Sequence, residues 1–180
     1  MSTHADFLPS HAFSPQPVPA VGAGSVIAYY REATMDYRFW SPDNLNMHFG
    51  LGSLRHLFDR EAMLEDMNAR VFERLAVEDR PGASVVDLGC GTGATMRHGA
   101  TRTSHTRFTG VTLSPEHVRR ARAMNPLDSG SNRLEVACAD FTATALGTAA
   151  FDGACAVESA CHARPAYRRR LSAPSSCRGP

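Results

Sequence analysis

The 180-residue sequence contains no lysine; all 19 of its Lys+Arg positions are arginine, set against 18 Asp and Glu, for a formal net charge of +1. That balance excludes a dominant basic footprint for nucleic acid. The missing lysine also excludes a P-loop, which must close on Gly-Lys-Ser/Thr. The arginines are scattered along the chain, as codon usage in a GC-rich gene would leave them. Isoleucine and tryptophan occur once each, at Ile27 and Trp40. No apolar run approaches the roughly 18 residues that cross a bilayer, so no transmembrane segment is expected. The start lacks the basic and then apolar segments of a secretory leader, which predicts a cytoplasmic protein. The five cysteines are odd in number and form no C-x-x-C pair. This argues for reduced thiols and against a disulfide framework. Zinc is not expected either, because Cys155, Cys161 and His162 lack the usual ligand pairings.

Four prolines lie among the first 24 residues, with Ser, Ala and Gly between them. This composition cannot propagate a helix or a central strand, and predicts a mobile arm over residues 1–24. Residues 25–82 read as an N-terminal helical lid. Its clearest element is an amphipathic helix over residues 59–77, with Leu64, Met67, Val71 and Leu75 spaced by three and four and Asp59 as N-cap. Then the period changes. Ser84-Val85-Val86-Asp87-Leu88 reads as a buried parallel strand. Further strands are predicted over 107–112, 134–139 and 151–157, with helices between them. The second helix opens on Ser114-Pro115, a cap followed by proline at the first helical position. Strands alternating with helices make an α/β fold with a parallel sheet, and the core falls at residues 83–162.

The informative stretch is Asp87-Leu88-Gly89-Cys90-Gly91-Thr92-Gly93. A buried strand ends in an acid and turns through glycines into a helix. Gly89, Gly91 and Gly93 allow a sharp turn and a close ligand approach, and the helix start offers free N–H groups. A nicotinamide site wants an acid about 20 residues on, at the end of the second strand. Thr112 stands there.

Residues 85–93 resemble motif I of the class I S-adenosylmethionine-dependent methyltransferases. Gly110-Val111-Thr112-Leu113-Ser114-Pro115-Glu116 resembles the family's second-strand segment, and Cys138-Ala139-Asp140-Phe141 the segment after the third strand. Phe151-Asp152-Gly153-Ala154 through Glu158-Ser159-Ala160-Cys161-His162 is similar to the fourth-strand segment. Together with Met47-His48-Phe49-Gly50, the set looks like the branch of sterol, tocopherol and other isoprenoid C-methyltransferases and of cyclopropane fatty acid synthases. The resemblance implies a Rossmann-like open parallel sheet in the order 3-2-1-4, part of a seven-strand fold. It implies S-adenosyl-L-methionine as cofactor, held by Asp87, Gly89, Gly91, Gly93, Thr112, Asp140 and Phe141. It also implies Glu158 as the catalytic carboxylate facing the transferred methyl or an apolar small-molecule acceptor. Thr112 departs from the family's usual acid and can offer the ribose only one hydroxyl bond. Asp140 also fits a plain helix N-cap, and Phe141 fits a core position.

After His162 the pattern is lost. Residues 163–180 hold Arg168-Arg169-Arg170 and then a Ser/Pro/Cys-rich tail without apolar period. The expectation is a chain truncated or frame-shifted relative to the family, with its fourth strand exposed as a sheet edge open to self-association. Two functions follow: an active small-molecule methyltransferase, on carbon or alternatively on nitrogen or oxygen, or a non-catalytic fragment retaining the cofactor loop.

Overall fold

The structure, a computed structural model, describes residues 44–52, 58–125, 128–143, 145–146 and 150–163, the short stretches 13–14 and 27–29, and positions 24, 39, 41 and 56. Most of the proline-rich arm, the triple arginine and residues 172–180 lie outside the described residues.

Helix α1 spans Arg60–Leu75. Asp59 begins it by accepting the Ala62 N–H at 2.9 Å. Glu61 in the first turn and Arg74 in the last complement the helix dipole. The helix ends at Ala76, whose left-handed backbone (φ 51°) lets its N–H reach the Phe72 carbonyl. The apolar spacing centres on Met67 and Val71, but the fully buried face consists of Leu64, Asn68 and Phe72. Asn68 escapes an apolar count because it is polar; its buried partners are described below.

The sheet follows. Strand β1 spans Ser84–Leu88, α2 Ala94–Arg102, β2 Arg107–Thr112, α3 Pro115–Met124, β3 Asn132–Cys138 and β4 Gly153–Cys155. The four strands are parallel in the order β3-β2-β1-β4. A two-residue strand, Asp128–Ser129, pairs antiparallel outside β3. In a separate two-stranded sheet, Phe13–Ser14 pairs antiparallel with Ala145–Leu146.

The order matches the expectation, but two boundaries move. Strand β3 starts at Asn132, where the side-chain oxygen accepts the Thr106 N–H at 2.8 Å and the amide nitrogen donates to the Ala100 and Thr103 carbonyls at 2.9 Å. Strand β4 pairs over only three residues. Past Cys155 the chain bends through Glu158 at φ 54° so that the Ser159 hydroxyl donates to the Leu88 carbonyl.

Alternation along β1 feeds two cores. Val85 joins Phe72, Met96, Phe108 and Leu134 on the side of α1 and α2, while Val86 and Leu88 join Val111, Ala139 and Phe141 on the other. In the first core, the Phe72 and Phe108 rings meet edge to face at 6.0 Å. Gly99 on α2 lies so close that a Cβ there would sit 2.1 Å from Phe72 Cζ.

At an ordinary helix position Gly→Ala stabilises by up to about 1 kcal/mol. Here the sign should reverse: Gly99→Ala should cost on the order of 1–3 kcal/mol by overpacking Phe72. Adding Phe72→Leu should return part of that loss, as read by denaturant unfolding of the two variants.

Candidate functional site

Strand β1 ends under a turn in which three glycines, Gly89, Gly91 and Gly93, all have positive φ, and the first two face the segments above it. Gly89 has φ 85°, and a Cβ on it would lie 2.2 Å from Ser159 Cβ. Gly91 has φ 53° and faces Met47, with 3.0 Å between a would-be Cβ and the Met47 sulfur. Both conformations are costly for a side-chain-bearing residue. The turn is fixed by main-chain bonds from Gly89 N (2.8 Å) and Cys90 N (3.0 Å) to the Val111 carbonyl of β2. Gly93 then starts α2 as its N-cap, and no side chain caps that helix start.

Above this turn, at the carboxyl ends of β1, β2 and β4, lies a cavity with about 830 Å³ of empty space, partly open to solvent. Asp87, Gly89 and Gly91 line it, and Ala94 and Thr95 contribute the first turn of α2. Thr112, Leu113, Ser114, His117 and Phe141 form one wall, and Val157, Glu158, Ser159 and His162 another. Leu45, Met47 and His48 close over the top.

Asp87 dominates the electrostatics. It is 3% exposed. Burial pushes its carboxyl up to about 7, with the nearby Cys155 thiol acting in the opposite direction. The same burial, aided by the Asp87 charge, holds the Cys90 and Cys155 thiols far above their ordinary range. Neither is an activated nucleophile. Burial and then the Arg120 charge push His117 down to about 4, so it faces the cavity as a neutral imidazole at pH 7. Among the described residues no group of three His, Cys, Asp or Glu side chains could hold a metal ion.

Six of the eight residues singled out from sequence come together here: Asp87, Gly89, Gly91, Thr112, Phe141 and Glu158. The Thr112 hydroxyl oxygen accepts the Ser114 N–H at 3.4 Å. Phe141 is buried against Val111 and Ala139 while lining the cavity. The Glu158 carboxylate accepts the Phe49 N–H at 2.8 Å. Two residues stand back from the cavity. Gly93 packs toward Asn125 and Met96. Asp140 turns its Oδ1 to the Thr142 N–H (2.8 Å) and hydroxyl (2.6 Å), the geometry of a turn cap.

Sequence reasoning missed what holds the roof. His48 lies between two acceptors, with Nε2 3.0 Å from Asn68 Oδ1 and Nδ1 3.0 Å from the Phe49 carbonyl oxygen, and the Thr95 hydroxyl donates to the same Asn68 oxygen. Asn68 Nδ2 donates to Asn46 Oδ1, and Asn46 Nδ2 to Glu65 Oε1 at 3.2 Å. The Glu65 carboxylate only accepts, so the direction of both amide bonds in the chain is set and Asn68 Oδ1 is left as the acceptor that faces His48 and Thr95. A 2.6 Å bond from His98 holds the Glu65 carboxyl below its usual range. The signal available in the sequence was one asparagine between Leu64 and Phe72, in the middle of an apolar face.

The raised Asp87 pKa makes stability fall as pH rises. Unfolded, the group titrates near 3.8; folded, near 7. Between those values the folded state binds the extra proton, so unfolding free energy should decline from pH 4 to pH 7 and level off above. Asp87→Asn should flatten that slope in chemical denaturation at several pH values.

A family model described as a methyltransferase domain matches residues 85–174. The chain is 39% identical over 93 residues to 24-methylenesterol C-methyltransferase 2 of Oryza sativa subsp. japonica, covering 51% of this chain and 25% of that protein. It is 36% identical over 102 residues to an O-methyltransferase of Pyrenophora dematioidea, covering 57% and 37% respectively. The chain thus spans well under half the length of these curated relatives. Among solved structures, the crystal structure of the cyclase SpnF superposes with a TM-score of 0.65 at 23% identity, over 78% of this chain and 50% of that one. The sheet order, the glycine turn after β1 and a domain match across half of the residues agree, and the chain belongs to the class I methyltransferase family.

Proposed function

We propose that the chain binds S-adenosyl-L-methionine above the glycine turn and transfers its methyl group to a small-molecule acceptor, with an isoprenoid or lipid carbon favoured. One observation carries the reading. The turn lies at the end of the central strand, where β2 continues the sheet to one side and β4 to the other, and open α/β sheets bind ligands at such a reversal.

The lining fits the group. The uncapped start of α2 offers N–H donors to a carboxylate. The buried Asp87 carboxyl supplies a counter-charge to a cationic amino or sulfonium group. Thr112 offers the ribose one hydroxyl, and Phe141 an aromatic face to the base. Gly93 and Asp140 support this site from behind: one seats α2, the other fixes the turn that presents Phe141.

When bound, the cofactor supplies a methyl group on an already activated leaving group. The protein's share is then positioning and exclusion of water. Ile27, Leu45, Met47, Leu113 and Val157 give the cavity apolar walls suited to a hydrocarbon acceptor. Glu158 sits at the cavity edge, where a carboxylate stabilises positive charge developing on carbon. The likeness to a sterol C-methyltransferase supports this acceptor class. Transfer to oxygen is the second reading, favoured by the O-methyltransferase match.

No helix among the described residues is long and apolar enough to cross a membrane. Cys90, Cys138, Cys155 and Cys161 form no disulfide, which supports a cytoplasmic location. Among the described residues strand β4 is at one end of the sheet and its Ala154 is exposed, which supports self-association along that edge.

Calorimetric titration with S-adenosylhomocysteine tests the reading. The wild-type chain should bind. Gly91→Val should weaken binding by at least about 100-fold, because a β-branched residue is strained at φ 53° and crowds Met47. Labelled cofactor offered with isoprenoid alcohols or with amines should mark carbon in the first. Labelling of amines alone would overturn the acceptor assignment, and absence of binding the whole reading.

A further inference from the structure

The roof segment, residues 44–49, has no regular secondary structure, yet it forms the top of the cavity. One partly buried cation behind it joins three separate parts of the chain. Arg97 on α2 donates from Nη1 to the Thr92 carbonyl at 2.8 Å and to Asn125 Oδ1 at 2.9 Å. From Nη2 it donates to the Asn44 carbonyl. Thr92 belongs to the glycine turn, Asn125 caps α3, and Asn44 begins the roof.

Even a partly buried guanidinium is costly to desolvate unless its donors are filled. Here no carboxylate shares these bonds; the acceptors are two main-chain carbonyls and an amide. Only a planar fork with several donors reaches all three at once. Asn125 Nδ2 donates to the same Thr92 carbonyl at 3.0 Å, so the fork and the amide hold one oxygen from two directions. Next to it, the Thr92 hydroxyl donates to the Leu45 carbonyl at 3.3 Å. Arg97 itself does not line the cavity.

We propose that Arg97 is a positioning residue that clamps the roof to the glycine turn, and that this clamp sets how long a ligand stays in the cavity. The second half rests on the cofactor-binding reading above; the first does not. Arg97→Lys keeps the charge but gathers its donors on one nitrogen at the end of a flexible stem, without the two-nitrogen fork that spans the turn and the roof.

Hydrogen exchange on the full chain, read by mass spectrometry, tests the clamp without any ligand. In the wild type the Leu45, Phe49 and Leu51 amides are bonded to Ser41, Glu158 and Met63. In Arg97→Lys, peptides covering residues 44–52 should exchange at least about 10-fold faster, while β1 and β2 change by less than about twofold. Thr92→Val should show the same local pattern to a smaller degree. Uniform acceleration across the chain would mean a merely structural role and overturn the proposal, as would no acceleration in the roof. Stopped-flow release of S-adenosylhomocysteine should quicken by a similar factor in Arg97→Lys, with the association rate nearly constant; unchanged release would overturn the residence claim. If the wild type binds no S-adenosylhomocysteine, the cofactor reading and the residence claim fall together, and the exchange data still decide the clamp.

Discussion

At Leu88 the central strand must stop without blocking the end of the sheet, and the chain must return as a helix beside its neighbours. The solution is the contact between Gly89 and Ser159, which leaves no room for a Cβ. Around it three segments meet. The Val111 carbonyl of β2 receives the Gly89 and Cys90 amides, the Ser159 hydroxyl bonds Leu88, and Met47 comes down on Gly91. The bend at Glu158 follows from this contact, since Ser159 reaches Leu88 only if β4 ends early. The cavity is the space left above the turn.

Two kinds of buried polarity surround that space, and they behave differently. Asp87 is buried with little to offset its charge, so it shifts toward the neutral form. Such a group ionises more readily when a cation approaches. On the other side, Asn68, Asn46 and Glu65 form a chain in which each bond sets the direction of the next. That chain rigidifies; it orients the Asn68 amide toward His48 and seats the roof. The cavity therefore has a responsive floor beneath a held top.

The sheet order and the glycine turn were legible in the sequence because each rests on local chemistry. The apolar run of β1, the Ser114-Pro115 start of α3 and the glycines 89, 91 and 93 carry their own signals. What holds the roof was not legible. Asn46 and His48 look like loop polar residues until Asn68, about 20 positions away, is placed opposite them. Arg97 reads as one more surface arginine on a short helix, and its partners Asn44 and Asn125 are fixed only by tertiary packing. Asp140 was ambiguous for a related reason. A cap and a ligand contact want the same residue at the end of a strand, and Thr142 two positions on favours the cap. The length of β4 depended on the distant contact with Leu88, which no local pattern encodes.

The central claim is that the glycine turn is the floor of an adenosyl-cofactor site. Amide chemical-shift mapping by NMR, with S-adenosylhomocysteine titrated into the labelled chain, tests it most directly. The account predicts the largest shifts at Gly89, Cys90 and Gly91, at Thr112, Leu113 and Ser114, and at Phe141, with smaller ones at Phe49 through the roof. Saturable binding whose shifts fall away from residues 89–91 would contradict it, as would a spectrum that the ligand leaves unchanged.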